Sequence, residues 1–173
     1  MVALNQMEVS MCKFVLKRKR KKVEKMSDLE YMQSLNLLGT YEDMTNIISY
    51  ITSKLLITPD KLQGLLWYAY GWGLTLYNQE ICPCQFFQTP YGPAEINVNK
   101  IYKAWETAII PQCSAPKLNP RIEQLLNATI STYGKLSNEE LSKSYSWHCN
   151  NVSPGEDISA RDVFLFFSKY AVK

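Results

Sequence analysis

The sequence predicts an all-α fold, a compact bundle of about six helices around one central aromatic-rich helix, with at most a minimal two-stranded element. Three observations lead there. Apolar residues recur at three- and four-residue steps through most of the chain, the period of a helix with one buried face. Helix punctuation is dense: Thr58-Pro59 and Asn119-Pro120 each place a capping side chain before a proline, and Ser137 with Glu140 and Ser159 with Asp162 read as capping boxes. Strand-like sequence is limited to a short piece at Gln85 to Gln88, inside a loop rich in proline and glycine.

In chain order, residues 1 to 26 carry eight basic side chains against Glu8 and Glu24, a net +6 in a chain whose total is +3, so the remainder is about −3. Their run KRKRKKVEK shows no trusted apolar period, and residues 1 to 43 are expected to be a basic, partly flexible extension of a domain spanning 44 to 173. Translated sequence upstream of a start at Met26 or Met44 is an alternative reading. Residues 27 to 43 suit a short amphipathic segment through Leu29, Met32, Leu35 and Leu38, stopped by Gly39. Asp43 caps a first core helix to Leu55, with Ile47, Ile48, Ile51 and Leu55 inward. The central helix opens at Thr58 and buries Leu62, Leu65, Leu66, Ala69, Trp72 and Leu76. Trp67, Tyr68, Tyr70 and Tyr77 fill the rest of its circumference. Gly64, Gly71 and Gly73 suggest close approach of another backbone. The first two core helices are expected to form an antiparallel hairpin.

Gly92-Pro93 is expected to restart a helix to Trp105 through Ile96, Ile101 and Tyr102, and residues 107 to 118 to be a linker. A helix from Pro120 to Tyr133 buries Ile122, Leu125, Leu126 and Ile130 and stops at Gly134. A short helix carrying Leu141 follows. The last helix buries Val163, Phe166, Phe167 and Tyr170.

At 173 residues, 46% hydrophobic and 20% charged, the chain is long enough for one domain with a real core, and its composition excludes global disorder. No apolar run approaches the roughly 20 residues of a membrane-crossing helix. The N-terminus lacks the apolar stretch of a secretory signal, and five cysteines without framework spacing imply reduced thiols, so a cytoplasmic location is expected.

No enzyme signature is present. His148 is the only histidine, and its sequence neighbour Cys149 is poorly placed for a nucleophile that must meet its base. Cys82, Cys84, His148 and Cys149 have zinc-binding chemistry at spacings unlike ordinary zinc sites, so no metal or cofactor is expected. The acidic pairs Glu42-Asp43, Glu139-Glu140 and Glu156-Asp157 sit at helix starts and turns. No glycine-rich phosphate loop occurs. What stands out is the aromatic density around Trp67, Tyr68, Tyr70, Trp72 and Tyr91: these residues are core, or some of them anchor a protein partner.

Asp60-Lys61-Leu62-Gln63-Gly64-Leu65-Leu66-Trp67-Tyr68-Ala69, followed by Pro90-Tyr91-Gly92-Pro93-Ala94, resembles the lysine-leucine helix and the tyrosine-glycine-proline loop of the Panacea domain, the SocA-like family of phage-associated proteins. The resemblance runs from about Met44 to Tyr170. Gly64 stands where the family prefers a second lysine, and the family's threonine-histidine and proline-tryptophan motif is blurred into Ser144-Tyr145-Ser146-Trp147-His148. It implies a non-enzymatic antitoxin that neutralises a cognate protein toxin by direct binding; some relatives deliver the toxin to a protease. It carries over Lys61, Gln63, Tyr68, Tyr91, Gly92 and Pro93 as the family motif, to which Trp67 is added as a candidate toxin contact. A scaffold role for the motif, with Lys61 donating to carbonyls of the Gly92-Pro93 loop, is the other reading. A separate alternative is a nucleic-acid-binding regulator using Lys17, Arg18, Lys19, Arg20, Lys21 and Lys22.

Overall fold

The computed structural model describes residues 6–35, 42–145 and 152–171, without the side chains of 6–12, 144 and 145. His148 and Cys149, and Leu38 and Gly39, lie outside the described residues. The protein is mostly helical, with a small antiparallel sheet. Its helices are α1 (Gln6–Val23), α2 (Asp28–Ser34), α3 (Met44–Lys54), α4 (Pro59–Trp72), α5 (Ile96–Tyr102), α6 (Pro120–Tyr133), α7 (Asn138–Tyr145) and α8 (Ala160–Ala171). The strands are β1 (Phe86–Thr89), β2 (Gly92–Glu95) and β3 (Asp157–Ile158), in the order β2-β1-β3.

Helix α4 is central, and the reason is its composition. Leu62, Leu65, Leu66, Trp67 and Ala69 are all fully enclosed, because the helix is apolar on nearly every side. Its main neighbours are α6, α7, α8 and β2. The expected antiparallel pairing with α3 is therefore not its principal contact. Thr58 caps it by accepting from the Lys61 amide, with Pro59 in the first turn. After Trp72 the backbone continues as one π-helical turn, Gly73–Tyr77, closed by Asn78 in the left-handed conformation (φ 54°). The wider turn shifts the helical phase: Leu74 and Thr75 are buried, while Leu76, expected inward, is 52% exposed.

The sheet is larger than expected. Gly92 to Glu95 forms β2, not the start of a helix, and pairs with β1 in the register Phe86↔Glu95 to Thr89↔Gly92. Pro93 is tolerated because β2 is an edge strand. Helix α5 begins only at Ile96, capped by Glu95 accepting from the Val98 amide, and it buries Val98 while Ile101 stays exposed. The third strand pairs Asp157 and Ile158 with Phe87 and Phe86. Gly155, at φ 91°, makes the turn that delivers it, donating from its amide to the Gln88 carbonyl at 2.8 Å.

The basic N-terminal segment also differs from a flexible extension. Residues 6–23 are α1, which packs on α8 through buried Leu16 and Val23. The Arg161 side chain on α8 donates to the Val23 and Glu24 carbonyls at 3.2 and 3.0 Å, satisfying the C-terminal end of α1. In α2 the capping box of Ser27 and Glu30 is complete, and the inward residues are Tyr31 and Leu35, not Leu29 and Met32. Val23, Tyr31 and Leu35 belong to the same apolar cluster as Ile47, Leu66 and Phe167, so the core extends before residue 44. In α8, Val163, Phe166 and Phe167 are buried as expected, Phe164 joins them and Tyr170 is exposed. The linker before α6 is pinned by buried Ile110 and Leu118, with the Ile110 amide donating to Ile57 at 2.9 Å.

Candidate protein-interaction site

The two motif stretches singled out in the sequence meet. Gln63, one turn into α4, exchanges two hydrogen bonds with the backbone of Glu95: its Nε2 donates to the Glu95 carbonyl at 3.2 Å, and the Glu95 amide donates to its Oε1 at 2.8 Å. A side-chain amide used in this way completes the edge of β2 and docks the hairpin on α4. The Glu95 carboxylate is fully buried, where it accepts from the Val98 amide at 2.8 Å and the Gln85 amide at 3.3 Å. Glutamate is not a favoured cap, so the sequence carried no signal for this role.

The hairpin tip is ordered by its own side chains. Thr89 Oγ1 donates to the Gly92 carbonyl at 2.7 Å and accepts from the Tyr91 amide at 3.1 Å, a turn of the kind threonine favours. Gly92 sits at φ 133°, which a side chain would strain. Tyr91 is held out by this turn and is 84% exposed. Beside it lies a cleft of ≈ 190 Å³ lined by Asp60, Gln63, Thr89, Gly92, Pro93, Ala94 and Asn99. Of these, Asp60, Thr89 and Asn99 were not singled out from the sequence.

The other predicted residues lie elsewhere. Trp67 is enclosed, its ring 5.2 Å from Phe86 and 5.5 Å from Phe167. Tyr68 stacks on Tyr133 with centroids 3.8 Å apart, and the Trp72 indole donates to the Tyr133 hydroxyl at 3.0 Å. Trp67 and Tyr68 thus form core, not a toxin-facing surface. Lys61 is buried too, and its ammonium donates to the Leu136 carbonyl in the α6–α7 turn, not to the Gly92-Pro93 loop. Burial lowers its pKa, with Glu140 opposing. Lys61 is a tie between helices.

Of the basic run, Lys17, Arg18, Lys21 and Lys22 are exposed on α1. Lys19 instead turns inward over the Phe164 ring at 4.6 Å, and burial pushes its ammonium down to about 8. Arg20 pairs with Glu24 at 3.1 Å. Of the acidic pairs, Glu140 accepts from the Ser137 amide at 2.7 Å and Glu156 from the Ser153 amide at 2.9 Å, whereas Asp43 precedes α3 without the side-chain cap bond expected of it and Glu139 pairs with Lys143 at 2.8 Å. Among the described residues no group of three or more His, Cys, Asp or Glu side chains is placed to hold a metal ion, and no helix is long and apolar enough to cross a membrane.

Fold and site together define a mostly helical protein that presents a braced β-hairpin tip on the N-terminal end of its central helix. No family model, no curated protein and no solved structure matches the chain.

Proposed function

We propose that this protein is a cytoplasmic, non-enzymatic antitoxin that neutralises a cognate protein toxin by direct binding, with the Tyr91 hairpin as the contact. The carrying observation is an exposed tyrosine on a hairpin fixed by Thr89, Gly92 and Gln63. A rigid aromatic held in solvent supplies contact area at little ordering cost, the property of interface anchors. The likeness of the two motif stretches to the Panacea antitoxins supports the same reading. Delivery of the bound toxin to a protease is its finer form.

The test is co-expression with the product of the adjacent gene, scored by growth rescue and co-purification. A toxic neighbour and a stable complex are expected, and Tyr91→Ala should weaken that complex by about 30-fold or more, a hot-spot loss of roughly 2 kcal/mol, with Tm unchanged. A harmless neighbour, or no complex, defeats the antitoxin reading. An undiminished Y91A complex moves the interface away from the hairpin.

The second reading is nucleic-acid binding through α1. It is favoured by one observation: α1 is anchored to α8 at Leu16, Val23 and Arg161 while Lys17, Arg18, Lys21 and Lys22 remain exposed. Four phosphate contacts predict that log K against log salt falls with a slope of about −3 to −4 on duplex DNA. Reversing these four charges to glutamate should flatten that slope; an unchanged slope removes the reading.

A further inference from the structure

Three sulfur atoms meet where the start of α3 touches the segment leading into β1. The Sγ atoms of Cys82 and Cys84 are 3.4 Å apart, and Cys82 Sγ lies 3.9 Å from the Met44 thioether. The placement has a backbone cause. The Glu42 amide donates to the Ile81 carbonyl at 3.1 Å, which fixes the residues before α3 against the Cys82-Pro83-Cys84 peptide. Buried Ile81 and Cys82 hold that peptide in the core, and Pro83 between the cysteines restricts its backbone.

We propose that Cys82, Cys84 and Met44 form a binding site for a soft monovalent metal ion, specifically copper(I). Two thiols and a thioether are the donor set that selects this ion, and a thioether is a poor ligand for zinc or magnesium. Both separations from Cys82 suit an ion held between sulfur atoms. With metal–sulfur bonds of about 2.3 Å, an ion would subtend about 95° between the two cysteine sulfurs and about 116° between Cys82 and Met44. Met44 is partly exposed, which gives an ion a route in past its thioether to the buried Cys84 thiol. Binding breaks two S–H bonds, forms two thiolate–copper bonds and one thioether–copper bond, and releases two protons to solvent. Copper stays in its monovalent state and nothing is oxidised. The site lies at the base of the hairpin, before β1 and near Glu95, not at its Tyr91 tip, and does not depend on the antitoxin reading.

The experiment is anaerobic titration of the full-length, fully reduced chain with copper(I) alone against a chromophoric copper(I) chelator, followed by X-ray absorption at the copper edge. One equivalent bound through three sulfur neighbours is expected. Met44→Leu keeps the volume, should reduce the shell to two sulfurs and should lower affinity by about tenfold or more. Cys84→Ser should abolish the tight site, whereas Cys113→Ser should not. Three results overturn the proposal: tight binding that survives Cys84→Ser, an M44L shell still showing three sulfurs, or conversion of the pair to a disulfide, read as a loss of two mass units, with no copper retained. Circular dichroism of each variant separates loss of ligand from loss of fold.

Discussion

Gly71 shows how much a single position in α4 owes to a distant one. A β-carbon at residue 71 would overlap the Phe167 ring, which packs edge-on against Trp72 with centroids 5.3 Å apart. Alanine would gain about 1 kcal/mol of helix propensity at an unconstrained site. Here the overlap wins, because Phe167 is also wedged against Trp67 and Phe166 and has nowhere to move. Gly71→Ala is expected to destabilise by about 1–3 kcal/mol, read as a lower urea midpoint at unchanged m-value. The glycine was legible in the sequence as a sign of close approach. Its cause, a phenylalanine side chain from α8 and not another backbone, was not, since no local pattern links residues so far apart. Lys61 repeats the lesson: the motif marked it, and only the fold supplies Leu136 as its acceptor.

At the scale of elements, caps and prolines placed α3, α4, α6, α7 and α8 closely, because those signals are local chemistry. The misplacements came where tertiary contacts overrode a local signal. Gly92-Pro93 reads as a helix start, yet β1 pairs it as part of a strand that Gln63 fixes at Glu95. The two residues of β3 are too few to show alternation. The π-helical turn after α4 is invisible to a 3.6-residue period, and it yields a direct test. Unbroken periodicity puts Leu76 in the core, whereas the widened turn puts Leu74 there. Leu74→Ala should therefore cost about 2–5 kcal/mol, and Leu76→Ser no more than about 0.5 kcal/mol. Equal losses in chemical denaturation would mean that the helix continues regularly.

At the scale of the whole molecule, the basic N-terminal segment and the mildly acidic remainder are joined through α1 and α8, and the joint carries a titratable group. Lys19 is aimed at Phe164 with its pKa lowered by burial to about 8, against an ordinary 10.5. Tyr70 and Tyr31 shift the other way: burial first, and then the Glu80 carboxylate, raise both phenols well above 10.0, and Tyr70 donates to Glu80 at 2.5 Å. Linkage fixes the signs. Below about pH 8 both folded and unfolded chains hold the Lys19 proton, and this group gives stability no slope. Between about 8 and 10.5 the unfolded chain binds more protons at Lys19, so stability rises with pH. Above 10.0 the unfolded tyrosines lose protons that the folded ones keep, the unfolded chain binds fewer, and stability falls. Thermal unfolding across pH 7 to 11 should accordingly show a rise from about pH 8, to which Lys61 also contributes, opposed above about 9 by the buried Cys84 thiol and turned to a decline above 10. Lys19→Met should remove the Lys19 share of the rise and leave the decline in place, because Tyr31 and Tyr70 are buried on α2 and α4 and methionine keeps an apolar cover over Phe164, the ring that Tyr31 packs on at 5.5 Å. A rise of full size in that variant would place Lys19 in solvent and α1 off the α8 surface, which would return the basic segment to the flexible extension that its sequence alone suggests.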